Sequence, residues 1–140
     1  MRTAILGAAF VTLGLVLGNS TVSAHHAFSS EFDANRHVVF TGIVTKMMWV
    51  NPHAWIYVDV KKPDGTTEEW MVEAGTPNTL LRRGFTKASL QPGTVIKVDG
   101  YQSKDGSLRA NGRDLTLSDG RTLFLGNADA TGAPQGAGQK

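Results

Sequence analysis

The sequence contains no cysteine, and this absence excludes a fold held together by disulfides. It also has little net charge, because 14 Lys and Arg against 12 Asp and Glu give +2 at pH 7 with neutral histidines. A nucleic-acid partner is not expected, since such a partner requires a strongly basic surface. A Gly-rich phosphate loop, a Ser or Cys nucleophile motif and a His-Glu-x-x-His helix are all missing. We therefore expect a binding protein and not an enzyme.

Only one long hydrophobic run is present, and it lies at the N-terminus. Residues 4–17 are almost entirely apolar and follow Arg2, but a membrane-spanning helix needs about 20 such residues. The small residues Val-Ser-Ala at 22–24 are typical of a signal-peptidase site. We predict a signal peptide at 1–24 and a periplasmic or secreted protein with no stable membrane span after processing. A retained membrane anchor is the alternative, and the lack of cysteine at the cleavage point excludes a lipoprotein anchor.

Removal of the signal peptide leaves enough chain for one small domain. Only Arg2 is lost among the charged residues, so the formal net charge falls from +2 to +1. Residues 127–140 are mostly Gly, Ala, Gln and Pro, a composition that predicts a disordered tail. We divide the remainder into an N-terminal arm at 25–37 and a β domain at 38–126.

The β domain alternates between apolar or β-branched stretches and turns. The patterns predict strands over residues 38–50, 54–61, 67–74, 94–102, 108–117 and 121–125. After the third strand, Thr76 can cap a helix, Pro77 suits its first position and Gly84 can end it in the left-handed conformation. Three strands, a short helix and two or three further strands follow the order of the OB-fold. We predict an all-β, OB-fold-like barrel of five to six strands, with a six-stranded sandwich as the alternative.

The strongest candidates for chemistry are histidines. Cleavage after Ala24 would leave His25 with a free terminal amine and His26 beside it. The amine and an imidazole chelate a metal through two nitrogens, and a third imidazole completes a set suited to Cu(II). Cleavage one residue earlier would place His26 third in the chain, which also suits Cu(II) or Ni(II). We nominate His53 as the third ligand, because it lies at the mouth of the second strand, where OB-type barrels present loops to ligands.

Several polar residues are candidates for an oxygen ligand or for orienting an imidazole. They are Glu31, Asp33, Asn51 and Glu73, and the last lies beside the Gly75 turn in an otherwise apolar strand. His37 is expected to be an ordinary surface residue. Incidental or structural histidines, with no metal bound, are the alternative for the whole set.

Aromatic residues form a second group of candidates. Trp49, Trp55 and Trp70 are predicted to contribute to an aromatic barrel face that binds a sugar, peptide or partner protein. Packing in the core or at its rim is the alternative, because a small barrel needs large side chains to fill it. An aromatic face would make the protein a metal-free adaptor or structural module, with an unknown periplasmic protein or small ligand as its partner.

Four stretches of the chain resemble a family of small exported proteins of Gram-negative bacteria that has no assigned function. They are the His-His-Ala-Phe motif at 25–28, Glu-Phe-Asp at 31–33, Trp-Val-Asn-Pro-His-Ala-Trp at 49–55 and the stretch at 75–84. The Asn-Pro-His-Ala-Trp block is the most specific. The resemblance implies export and a single domain, but no activity, cofactor or catalytic residue. The expected function is that of a periplasmic binding protein that sequesters or carries Cu(II).

Overall fold

The computed structural model describes residues 28–126. The predicted signal peptide at 1–24, His25, His26 and the predicted tail at 127–140 lie outside these residues. The described chain has a helical turn, α1, at 28–31 and a second short helix, α2, at Pro77–Arg82. Its strands are β1 (Phe32–Met48), β2 (Trp55–Lys61), β3 (Thr67–Glu73), β4 (Val95–Ser103), β5 (Arg109–Leu117) and β6 (Thr122–Phe124). Within this range, no helix has both the length and the apolar character needed to cross a membrane.

The six strands form one sheet in the order β3-β2-β1-β4-β5-β6, and each neighbouring pair is antiparallel. In addition, β3 pairs with β5 in parallel, with Met71 opposite Arg109 and Glu73 opposite Asn111. This pairing closes the sheet into a barrel-like ring. The predicted OB-fold-like arrangement, with the short helix between the third and fourth strands, is therefore confirmed, and the sandwich alternative is wrong.

The interior is filled by alternate residues of the strands, as the period-2 pattern predicts. In β2, Ile56 and Val58 are fully buried, whereas Trp55 and Tyr57 lie on the opposite face and are only partly buried. The buried core consists of Val44, Ala54, Ile56, Val58, Val72, Ala74, Leu80, Phe85, Leu90, Ile96, Val98, Leu115 and Leu125.

Helix α2 begins and ends at the residues that the sequence indicates. The Thr76 Oγ1 accepts a hydrogen bond from the Thr79 N–H at 3.2 Å, and Pro77 follows in the first turn. Gly84 has a φ of 78°, the left-handed conformation that ends a helix. The helix buries Pro77 and Leu80.

Strand β1 begins six residues earlier than predicted, at Phe32 and not at Val38. Phe32 is 2% exposed and pairs with Ser103, and regular pairing resumes where His37 lies opposite Tyr101. The intervening residues 33–36 form an irregularity in the ladder. These four residues are mostly polar, so the alternation typical of a strand is not visible there in the sequence. Residues 32–37 of the predicted arm belong to the sheet.

Candidate functional site

The loop between β1 and β2 carries His53 and is held against the end of β3. Its Asn51–Pro52 peptide bond is cis. The Ala54 N–H donates to the Gly75 carbonyl at 3.2 Å, and the Ala74 N–H donates to the Ala54 carbonyl at 2.9 Å. These bonds place His53 beside Glu73, the last residue of β3.

His53, Glu73 and Asn111 form one set of polar contacts. The Nδ1 of His53 contacts Oε1 of Glu73, whose side chain is only 10% exposed. The Nδ2 of Asn111 donates to the other carboxylate oxygen at 3.4 Å. Because β3 and β5 pair in parallel, Glu73 and Asn111 are register partners, and ring closure itself assembles the set.

The second imidazole nitrogen of His53 is the chemically available atom of this set. Among the described residues, no hydrogen bond is made by Nε2, and the side chain is 30% exposed. A buried carboxylate on Nδ1 fixes both the tautomer and the orientation of an imidazole, so that Nε2 presents a lone pair outward. This arrangement suits a metal ligand or a hydrogen-bond acceptor for a small molecule.

Helix α1 is anchored close to the same end of β2. The Glu31 carboxylate pairs with the Arg109 guanidinium at 3.0 Å, and that guanidinium lies 5.4 Å from the centroid of the Trp55 ring. The Phe28 ring packs on Phe32 and, edge to face, on Tyr101, each with a centroid distance of 5.9 Å. The first described residues of the chain are thus held near the start of β2, two positions after His53.

The four predicted polar residues have different surroundings. Glu73 contacts His53 directly, and Glu31 is connected to Trp55 through Arg109. Asp33 instead pairs with Arg36 at 3.6 Å, and Asn51 is exposed in the loop. Within the described residues, neither Asp33 nor Asn51 makes a side-chain hydrogen bond or ion pair with His53.

Asn111 and Arg109 are site residues that the sequence analysis missed. Both lie on the outer face of β5, where they alternate with the buried Ala110 and Gly112. The alternation of inward-facing and outward-facing residues along β5 is visible in the sequence, but it does not reveal that β5 pairs with β3.

The three tryptophans lie in separate surroundings, and no two of them are in ring contact in the described part of the chain. Trp70 is 8% exposed and packs on Phe40, with 4.7 Å between ring centroids. Trp49 stacks on Phe85 at 6.2 Å, against the buried core. Only Trp55 lies beside the candidate site.

His37 lies on a second, more exposed network. Its Nε2 is 2.9 Å from Oδ1 of Asp99, and the other Asp99 oxygen pairs with Arg113 at 3.1 Å. Arg113 also pairs with Asp114 at 2.8 Å. The hydrogen bond with Asp114 and the charge of Asp99 raise the pKa of the Arg113 guanidinium.

Between residues 28 and 126, no group of three or more His, Asp or Glu side chains lies close enough to hold a metal ion. The described residues offer His53 with the Glu73 carboxylate on its Nδ1 and no third such group beside them.

Comparison with known proteins identifies the family but not an activity. No curated protein matches the chain significantly. The matching segment runs from residue 14 to residue 112 and contains His25, His26, His53, Glu73 and Asn111. Over that segment the sequence matches the Family of unknown function (DUF6152), and the chain belongs to this family.

Proposed function

We propose that the protein is an exported, periplasmic binding protein that sequesters or carries Cu(II). The ion is held by the N-terminal amine created at His25, by the imidazole of His25 or His26, and by Nε2 of His53. The observation that carries this proposal is the contact between His53 Nδ1 and the buried Glu73 carboxylate.

A histidine that binds a metal through one nitrogen almost always donates its other N–H to a carboxylate, carbonyl or water. His53 has this arrangement, and Asn111 holds the second oxygen of the same carboxylate. The imidazole thus has one carboxylate on Nδ1, and that carboxylate is itself held by an amide.

The proposal takes the missing ligands from the arm just before the described residues. Two residues, His26 and Ala27, lie between His25 and Phe28, and three residue steps span at most about 10 Å. Phe28 is anchored on Phe32 and Tyr101, while Glu31 is tied through Arg109 to the start of β2. The proposal requires the arm to fold back from this anchored segment onto the loop that carries His53.

The donor set favours copper over other divalent ions. An amine and two imidazoles are nitrogen ligands, and the chain has no cysteine thiolate that would favour a softer ion. Affinity for divalent metals rises to a maximum at Cu(II) along the first-row series. Because Glu73 is occupied by His53 and Asn111, it supports the site and is not counted among the ligands.

The test is a Cu(II) titration of the exported, processed and tag-free protein, with its N-terminus confirmed by intact mass. Electron paramagnetic resonance spectra would be recorded for the wild type and for His25→Ala, His26→Ala and His53→Ala. We expect one equivalent bound with a nitrogen-rich spectrum. His53→Ala should weaken binding at least tenfold and change the nitrogen couplings.

His37→Ala is the matched control, because His37 is also bonded to a carboxylate but lies on the separate Asp99 network. This variant should bind copper like the wild type. Equal losses in His37→Ala and His53→Ala, or none in either, would overturn the three-ligand site.

A metal-free adaptor that binds a partner protein or small ligand is the second candidate. The observation that favours it is Trp55, which is partly exposed and has the Arg109 guanidinium over its ring at 5.4 Å. Stacked Arg and Trp side chains are frequent at interfaces. Absence of stoichiometric copper binding to the processed protein would favour this role.

A further inference from the structure

A cleft lies between helix α2 and strand β6. Its volume is about 400 Å³, and it is lined by Arg82, Arg83, Phe85, Thr122, Leu123 and Phe124. This size falls within the range of small-molecule sites, which is about 300–1,000 Å³. Neither the copper proposal nor the aromatic-face alternative uses these residues.

The charged part of the cleft is formed by Arg82 and Arg83, and none of the lining residues is acidic. Arg83 is held in place because its Nη1 donates to the carbonyls of Phe124 at 3.2 Å and Gly126 at 3.0 Å. Its guanidinium lies 4.6 Å from the centroid of the Phe124 ring. Among the described residues, Arg82 makes a single, long hydrogen bond, 3.4 Å from its Nη2 to Thr79 Oγ1.

Both guanidinium groups keep N–H donors that have no partner among the described residues. A guanidinium presents its donors in a planar fork that matches the oxygens of a carboxylate or phosphate. Two guanidinium groups in the lining of one cleft, with no acidic residue in that lining, favour an anion.

The remainder of the cleft is apolar. Phe85 is almost fully buried, Leu123 packs against the core and the Phe124 ring is partly exposed to solvent. An inorganic anion would leave this apolar surface in contact with water, whereas an apolar chain or ring would cover it.

We propose that this cleft binds a small amphipathic organic anion. Its oxyanion group, a carboxylate or phosphate, is held by Arg82 and Arg83, and its apolar part lies on Leu123 and Phe124. The site is independent of copper and of the N-terminal histidines.

The first test is isothermal titration of the full processed protein with decanoate, below its micelle concentration. We expect saturable binding at one site. Decanol and inorganic phosphate should each bind at least tenfold more weakly, because decanol lacks the anionic group and inorganic phosphate lacks the apolar chain. Decyl phosphate should bind like decanoate if the two guanidinium groups bind either oxyanion. If decanoate binds and decyl phosphate does not, the ligands of the cleft are restricted to carboxylates. Equal binding of decanol and decanoate would overturn the proposal.

Variants test the location. Thr122→Glu adds a carboxylate to the lining at an exposed position, and we expect it to weaken decanoate binding at least tenfold, while Thr122→Gln does not. Arg82→Gln should weaken binding, while Arg121→Gln should not, because Arg121 lies outside the lining and pairs with Asp119. Wild-type affinity in both Thr122→Glu and Arg82→Gln would show that decanoate binds elsewhere and would overturn the site.

Discussion

His53 and His37 each bond to a carboxylate on a neighbouring strand, yet the two pairs differ in almost every other respect. His53 uses Nδ1 and leaves Nε2, the outer nitrogen, available, whereas His37 uses Nε2 and leaves the nitrogen nearer its own backbone. The carboxylate of Glu73 is nearly buried and is shared with an amide, while that of Asp99 is more exposed and is shared with a guanidinium. A carboxylate that must neutralise Arg113 is a weaker support for an imidazole. The comparison indicates that the second group on the carboxylate, an amide for Glu73 and a guanidinium for Asp99, distinguishes a candidate ligand histidine from a histidine in a surface ion pair.

The largest expected contrast is in stability without metal. Glu73→Ala leaves His53 Nδ1 and the Asn111 amide without their acceptor, so the free energy of unfolding should fall by about 2 kcal/mol. Asp99→Ala should lower it by less than about 1 kcal/mol, because that network is solvated. Urea denaturation followed by tryptophan fluorescence measures both values. Equal losses would remove the energetic distinction between the two pairs.

The next contrast is in copper affinity. Glu73→Gln keeps the size of the side chain but removes the carboxylate, and loss of such a supporting group lowers metal affinity by about tenfold or more. Asp99→Asn should leave the affinity unchanged. Competition with a chromophoric Cu(II) chelator would measure both. An effect of Asp99→Asn as large as that of Glu73→Gln would mean that the copper response does not depend on His53.

A smaller effect should appear with salt. The Debye length falls from about 10 Å at 0.1 M salt to about 3 Å at 1 M, which weakens exposed ion pairs more than buried ones. The stability difference between wild type and Asp99→Asn should therefore shrink in 1 M NaCl. The difference for Glu73→Gln should change little. Urea midpoints and slopes at the two salt concentrations provide the test, and equal salt sensitivity would contradict the contrast in burial.

The smallest effect concerns Asp105, a carboxylate with no histidine partner. Hydrogen bonds from the Ser103 hydroxyl, then from Ser107, lower the pKa of Asp105 from 3.8 to about 2. A depressed carboxylate pKa contributes stability above pH 3.8 and loses it as the pH falls through about 2. Asp105→Asn should be less stable than wild type at neutral pH, and the difference should vanish as the pH is lowered from about 4 to 2.

Thermal unfolding across this pH range would measure the difference, with Asp64→Asn as a matched turn variant, since Thr66 hydrogen bonds lower the pKa of Asp64 in the same way. A difference between wild type and Asp105→Asn that does not depend on pH would show that the turn carboxylate does not titrate as stated.

Structural features that depend on residues close together in the sequence could be predicted. The succession of strands and helix along the chain, the cap at Thr76 and the end of α2 at Gly84 follow from local patterns, and so does the choice of Glu73 as a lone carboxylate beside a turn. Asn111 was missed because it joins Glu73 through a parallel strand pair that connects positions 38 apart in the chain. No local period encodes which strands become neighbours.

Trp70 shows how a local pattern and a residue type can conflict. Alternation along β3 places it with Val72, on the buried side, and the structure has it there. Its grouping with Trp55 rested on its being aromatic. For a residue in a regular strand, the alternation was the better guide to exposure.

The parallel pairing of β3 with β5 also has a consequence for folding. A contact between distant segments forms late, because the loop that connects them must first lose its conformational freedom. His53 lies in the loop before β2 and Glu73 ends the adjacent strand β3, but Asn111 arrives only when β5 docks and the ring closes. The second contact of the Glu73 carboxylate, from Asn111, is therefore a property of the closed ring. A chain in which β5 has not docked lacks this contact, so its formation would report that the ring has closed.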